Sequence, residues 1–250
     1  NYTVNDALDD YLAWFKTERK SLDYTRNTID VHIRPELGLV ELKKLTAKRI
    51  TDWRNKIATT PPRLRSKTFG EMKYRELDES DTDEWRKRKA TTNRILTMLK
   101  AALNLAYREG YIATDDAWRR VKPFHNVDNP TKIFLTQEEC VRLLNACDED
   151  FRKLVQGALL TGCRYAELAN MTCDDFDADS GTCLVRESKN GKPRRPTLSE
   201  EGIALFSDLA AGKRGDALLF TRANGNRWGK GHQKRPFGQA AKTAKIDKQI

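Results

Sequence analysis

The stretch Ala158-Leu159-Leu160-Thr161-Gly162-Cys163-Arg164-Tyr165-Ala166-Glu167-Leu168 decides how the rest of this sequence is read. An apolar helix stops at a glycine and a new helix begins with an arginine. The guanidinium therefore lies beside a helix N-terminus, whose first N–H groups have no partner inside the helix. That combination suits a phosphate. A planar guanidinium donates two parallel hydrogen bonds to phosphate oxygens, while Glu167, one turn on, can hold its orientation. The same spacing also fits an ordinary surface ion pair three residues apart, which would carry no chemistry.

Downstream, after Asp179-Ser180-Gly181, the hydrophobic period changes from helical to extended. Thr182–Glu187 and Lys192–Leu198 flank the turn Ser188-Lys189-Asn190-Gly191, and Asn-Gly between extended runs signals a hairpin. Ser199-Glu200-Glu201 opens a helix through Leu209, and Ala217–Thr221 reads as a third short strand. Upstream, Thr136-Gln137-Glu138-Glu139 is a capping box that opens one helix, and a second runs from Phe151 to Leu160.

The first half is all helical. Thr3-x-x-Asp6 caps a helix to about Arg19, a second covers Tyr24 to Ile33 and is ended by Arg34-Pro35, and Thr46 caps a third over Ala47–Ile57. Residues 59–89, with Pro61-Pro62 and dense charge, read as an exposed insertion. From Ala90 an apolar stripe of Ile95, Leu96, Leu99, Leu103 and Ala106 continues to near Gly110. Pro123, Asn126, Asp128, Asn129 and Pro130 mark an extended connection, so the expected division is a helical domain at 1–122, a linker at 123–133 and a second domain at 134–250.

The 250 residues carry 46 Lys plus Arg against 36 Asp plus Glu, a net charge of +10 that favours a polyanionic partner, foremost nucleic acid. Residues 1–130 hold 26 basic and 20 acidic side chains, so the excess is not a basic tail. No apolar run reaches membrane-spanning length. The five cysteines are odd in number and contain no C-x-x-C pair, which suggests reduced thiols in a cytoplasmic setting. No Cys/His grouping has zinc spacing, so no metal site is expected.

Thr-Gly-x-Arg-x-x-Glu-Leu followed by a hairpin bearing Lys-x-Gly-Lys resembles the tyrosine recombinase (phage integrase) family. The Thr25–Gly38 stretch, Lys43-Lys44-Leu45-Thr46 and Thr92-Asn93-Arg94-Ile95-Leu96 resemble its core-binding domain. The resemblance implies a mainly α fold: a helical, SAM-like core-binding domain, then a truncated α+β catalytic domain with a small antiparallel sheet. It implies two lobes clamped on double-stranded DNA, cleaved and rejoined through a 3′-phosphotyrosine with no cofactor. It also implies a homotetramer on paired sites at full length, with a monomer expected for this fragment.

By resemblance, Arg164 is the first catalytic arginine, Glu167 supports it, and Lys189 is the general acid for the leaving 5′-oxygen, with Lys192 as its competitor. Thr25, Arg26, Thr92, Asn93 and Arg94 are candidates for DNA contact in the grooves, and Lys192, Arg194 and Arg195 for phosphate contact. The family's His-x-x-Arg box and nucleophilic tyrosine are expected beyond the last residue. Tyr165 is the last tyrosine, and His232-Gln233-Lys234-Arg235 stands in the wrong context to supply the box. Gly225–Gly231 is one residue short of a phosphate-binding P-loop and reads as a basic loop. A non-catalytic DNA-binding regulator or excision accessory with the same fold shares all these features. A basic helical protein-interaction module leaves the arginine box unexplained.

Overall fold

Two separate sets of apolar side chains organise the chain into two units, residues 1–130 and 131–250. The computed structural model describes residues 1–19, 21–64, 71, 73–78, 80–128, 134–187 and 191–247.

The first unit is helical. Helix α1 (Val4–Glu18) starts at the Thr3/Asp6 capping box, where the Asp6 carboxylate accepts from the Thr3 N–H at 2.7 Å. Helix α2 (Leu22–His32) gives way to α3 (Arg34–Leu37); Pro35 does not end helical structure here, because proline is tolerated in a first turn. Helix α4 (Ala47–Thr59) is capped by Thr46 as expected. Helix α5 spans Thr82–Arg108, and α6 is the short Asp116–Arg119. Leu8, Ile29, Ile33, Leu37, Ile50, Leu99, Leu103 and Trp118 form the buried centre. The indole N–H of Trp118 donates to Asn104 Oδ1 at 2.6 Å, so its polar edge is satisfied.

Two expectations are corrected in this unit. The 59–89 segment is not uniformly an exposed insertion: α5 begins at Thr82, because the Asp81 side chain accepts from the N–H groups of Asp83 and Glu84. Upstream, Leu64 N–H donates to Lys73 O and Arg75 N–H to Pro62 O, which closes a small antiparallel loop. Glu84 is buried and ties that loop to α5 by accepting from Arg75 and from the Asp78 N–H. Of the expected 123–133 linker, residues 123–128 are held by the helical unit, and 129–133 lie outside the described residues. Asn93 donates to Phe124 O at 2.9 Å and accepts from Phe124 N–H at 2.8 Å, and Arg86 donates to Val127 O. The Arg54 guanidinium covers the Phe124 ring at 4.2 Å.

In the second unit, α7 (Gln137–Ala146) opens at the Thr136/Glu139 capping box and α8 (Glu149–Thr161) ends at Gly162. Gly162 has φ +63°, a left-handed conformation that terminates helices at little cost only for glycine. The four-residue helix α9 (Tyr165–Leu168) follows. Strands β1 (Phe176–Asp177) and β2 (Thr182–Cys183) pair antiparallel, with Phe176 opposite Cys183. The expected hairpin continues β2: Val185 and Arg194 exchange N–H···O bonds of 2.8 and 3.1 Å, and Cys183 N–H donates to Pro196 O. Residues 188–190 of its turn lie outside the described residues.

Ala217–Thr221 is not a continuous strand. It docks on 171–173 through Cys173 N–H to Ala217 O and Leu219 N–H to Met171 O, because Leu219 and Phe220 are drawn into the core. Helices α10 (Glu200–Ala210) and α11 (Lys234–Thr243) complete the described elements. Phe206, Phe220, Leu168, Cys183 and Trp228 lie at the centre of this unit. Among the described residues no helix is long and apolar enough to cross a membrane.

Candidate active site

Gly162 turns the chain out of α8, and the Thr161 hydroxyl sets the exit direction. It donates to Gly157 O at 2.6 Å and accepts from Cys163 N–H at 3.0 Å. The next residue, Arg164, stands at the start of α9 with its side chain 58% exposed. Glu167, one turn later, has a side chain only 4% exposed. Its Oε2 accepts from the Arg164 backbone N–H at 2.8 Å, and its Oε1 from Arg164 Nη1 at 2.9 Å. A buried carboxylate thus holds both the backbone N–H and one guanidinium nitrogen of an exposed arginine, unlike a solvated surface pair.

Arg194, from the descending arm of the hairpin, donates from Nη2 to Glu167 Oε2 at 2.6 Å. The same nitrogen lies 3.8 Å from Cys163 Sγ. Burial pushes the Glu167 carboxyl up, but the Arg164 N–H and the two guanidiniums outweigh it and hold the group below the usual carboxylate range. A hydrogen bond with the Cys183 thiol lowers the Cys163 thiol; Thr161 and the Arg194 charge add to that effect against burial.

The sites expected from sequence divide sharply. Arg164 and Glu167 are brought together, and Lys189 lies outside the described residues. Arg26, Arg94, Lys192 and Arg195 are exposed. Thr25 and Thr92 are buried rather than presented to a DNA groove, and their hydroxyls donate to carbonyls four residues back, Ser21 O and Arg88 O. Asn93 is likewise removed from that set, because its amide is spent on the backbone of Phe124. Arg194 is not a free phosphate contact, being paired to Glu167.

His232 Nδ1 accepts from Gly229 N–H and stabilises a turn. The Tyr165 hydroxyl donates to Gly229 O at 2.7 Å, and burial raises its ionisation above the usual phenol range, which is unsuited to a nucleophile. Sequence reading missed two attachments of the hairpin, Arg194 to Glu167 and Arg186 Nε to the buried carboxylate of Asp175 at 2.5 Å. Both join residues more than ten positions apart, and only strand register could have signalled them.

Residues 133–250 match the model of the phage integrase family. An integrase/recombinase of Escherichia coli is 33% identical over 98 residues, which cover 34% of this chain and 29% of that protein's length. The match therefore spans less than a third of that relative. A lambda integrase dimer bound to a core site superposes with a TM-score of 0.71 at 19% identity, covering 98% of this chain and 83% of that one. A lambda integrase tetramer bound to a Holliday junction gives a TM-score of 0.71 at 20% identity, covering 99% and 68%. These two likenesses concern the fold. The arginine box thus lies in a unit whose sequence matches the phage integrase family, within a chain that shares the fold of lambda integrase.

Proposed function

We propose that this chain supplies the DNA-binding and phosphate-activating parts of a site-specific recombinase, one that cleaves and rejoins duplex DNA through a 3′-phosphotyrosine. The observation that carries this reading is the exposed Arg164 guanidinium fixed by the buried Glu167 carboxylate. Charge builds on the non-bridging oxygens as a tyrosine oxygen attacks phosphorus and the bond to the 5′-oxygen breaks. A cation already oriented there stabilises that charge without reorganising. Lys189 is our choice for the ammonium that gives its proton to the departing 5′-oxygen, with Lys192, the residue directly after the turn, as the competing donor. Arg26, Arg94, Lys192 and Arg195 contribute to DNA affinity, and a tetramer on paired sites is the working assembly. We assign residues 1–122 to core binding and 134–250 to the catalytic domain.

Tyr165 is the last tyrosine of the sequence and its hydroxyl is committed to Gly229. The 250 residues by themselves are therefore expected to bind duplex DNA with steep salt dependence but to form no covalent adduct. In a protein that carries these residues together with the family's His-x-x-Arg box and tyrosine, nicked suicide DNA bearing the native site should trap a denaturation-resistant adduct. Arg164→Ala should abolish that adduct and leave DNA binding largely intact. Loss of binding with loss of the adduct would reduce Arg164 to a structural role. Salt-sensitive binding with no adduct from the unaltered protein would favour a non-catalytic DNA-binding regulator.

A further inference from the structure

We propose that Arg194 is a positioning residue for Arg164, acting through the one carboxylate that both share. Helix α9 is four residues long and by itself a weak platform for a guanidinium that must not move. A glutamate joined to a single arginine can still turn about its terminal torsion, which is broad and roughly two-fold. Here each oxygen of Glu167 is claimed by a different guanidinium: Oε1 by Arg164 at 2.9 Å and Oε2 by Arg194 at 2.6 Å, with Oε2 also accepting the Arg164 backbone N–H. Turning the carboxylate would break all three bonds. Arg194 is fixed in turn, because its backbone exchanges both ladder bonds with Val185 on the opposite arm.

Arg194 faces inward. Its Nη2 lies within reach of both Glu167 and the Cys163 sulfur, and its side chain is 37% exposed where that of Arg164 is 58% exposed. The hairpin therefore sends a support into the arginine loop from a segment thirty residues away in sequence. The consequence for strand cleavage rests on the recombinase reading; the geometric coupling does not.

Two measurements test this. In the 250-residue chain, the guanidinium nitrogens of Arg164 are followed by side-chain 15N NMR. Restrained rotation should give separate Nη signals in the unaltered protein, Arg194→Gln should merge them, and Arg194→Lys should do so in part. Near-UV circular dichroism verifies that each variant is folded. In the tyrosine-bearing protein, single-turnover adduct formation by Arg194→Gln should be about 10- to 100-fold slower, the scale of a sub-ångström to ångström misplacement. The double variant Arg194→Gln/Glu167→Gln should be no slower than Glu167→Gln, and the salt slope of DNA binding should not change.

Unaltered Arg164 signals in a folded Arg194→Gln or Arg194→Lys protein would overturn the proposal. So would rate losses that multiply in the double variant together with a salt slope lowered by about one, the mark of a direct phosphate contact. If the unaltered protein forms no adduct on its own site, the recombinase reading fails, and the NMR comparison still decides whether Arg194 orients Arg164.

Discussion

Gly157→Ala is a sharp test of the packing beneath the arginine loop. The residue is buried in α8, where alanine in place of glycine would ordinarily gain about 1 kcal/mol of helix stability. Here a β-carbon would stand 2.6 Å from Cζ and 2.8 Å from Cε1 of Phe220, and 3.6 Å from Leu168 Cδ2. The ring would have to retreat by most of an ångström. It has little room to do so: Phe220 is 2% exposed, and its ring meets Phe206 at a centroid distance of 5.5 Å and an interplanar angle of 81°. Overpacking of this kind costs about 1–3 kcal/mol, and the absence of slack places this case in the upper part of that range. The net expectation is a loss of about 1–2 kcal/mol after the propensity gain is subtracted. The displacement should also reach the site, since Gly157 O receives the Thr161 hydroxyl that sets the Cys163 N–H. Urea unfolding monitored by far-UV circular dichroism would measure the loss, and the same substitution in a Phe220→Leu background should be neutral or stabilising by up to about 1 kcal/mol. A Gly157→Ala protein as stable as the parent, or an equal loss in both backgrounds, would refute the reasoning.

Three further outcomes follow from named contacts. Glu167→Gln should lower stability by about 1–2 kcal/mol near neutral pH, at the low end for hydrogen bonds to charged groups because both arginine partners are partly solvated. The folded-state carboxyl lies below its usual range, so this contribution is fully present above the unfolded value of about 4.3 and is lost as pH falls through the lower folded value. Urea midpoints should therefore differ by a constant amount between pH 8 and 5 and converge only in stronger acid; a difference that grew on acidification would contradict this. Asn93→Ala leaves the N–H and C=O of Phe124 without their shared partner, and should raise the rate of proteolytic cleavage within 122–128 while costing about 1–2 kcal/mol. Thr92→Val removes only a hydroxyl already bonded inside its own helix; DNA affinity in a mobility-shift titration should stay within twofold, whereas a tenfold fall would restore Thr92 as a groove contact.

The sequence by itself was enough for the features fixed by local chemistry. Thr3/Asp6, Thr46 and Thr136/Glu139 each declare a helix start, because a side-chain acceptor three residues from a free N–H works within one turn of chain. Gly162 before Arg164, and Glu167 one turn after it, are equally local, so the central pair of the site was legible along with the mainly helical fold and the division near residue 130. The errors arose where the deciding partner lies far along the chain. Thr25, Thr92 and Asn93 have the polar side chains of groove contacts, yet packing buries the first two and the backbone of Phe124 occupies the third. The charge density of 59–89 reads as solvent-exposed until Glu84 is seen buried under its ion pair. Nothing local distinguishes Arg194 from Arg195; strand pairing with Val185 sends one guanidinium to Glu167 and leaves the other exposed. Residue type and spacing determined which helices form and where an arginine could meet phosphate. Which polar groups remain free to do so was decided only by the tertiary structure, because the free energy of a buried polar group depends on the partner that folding brings to it.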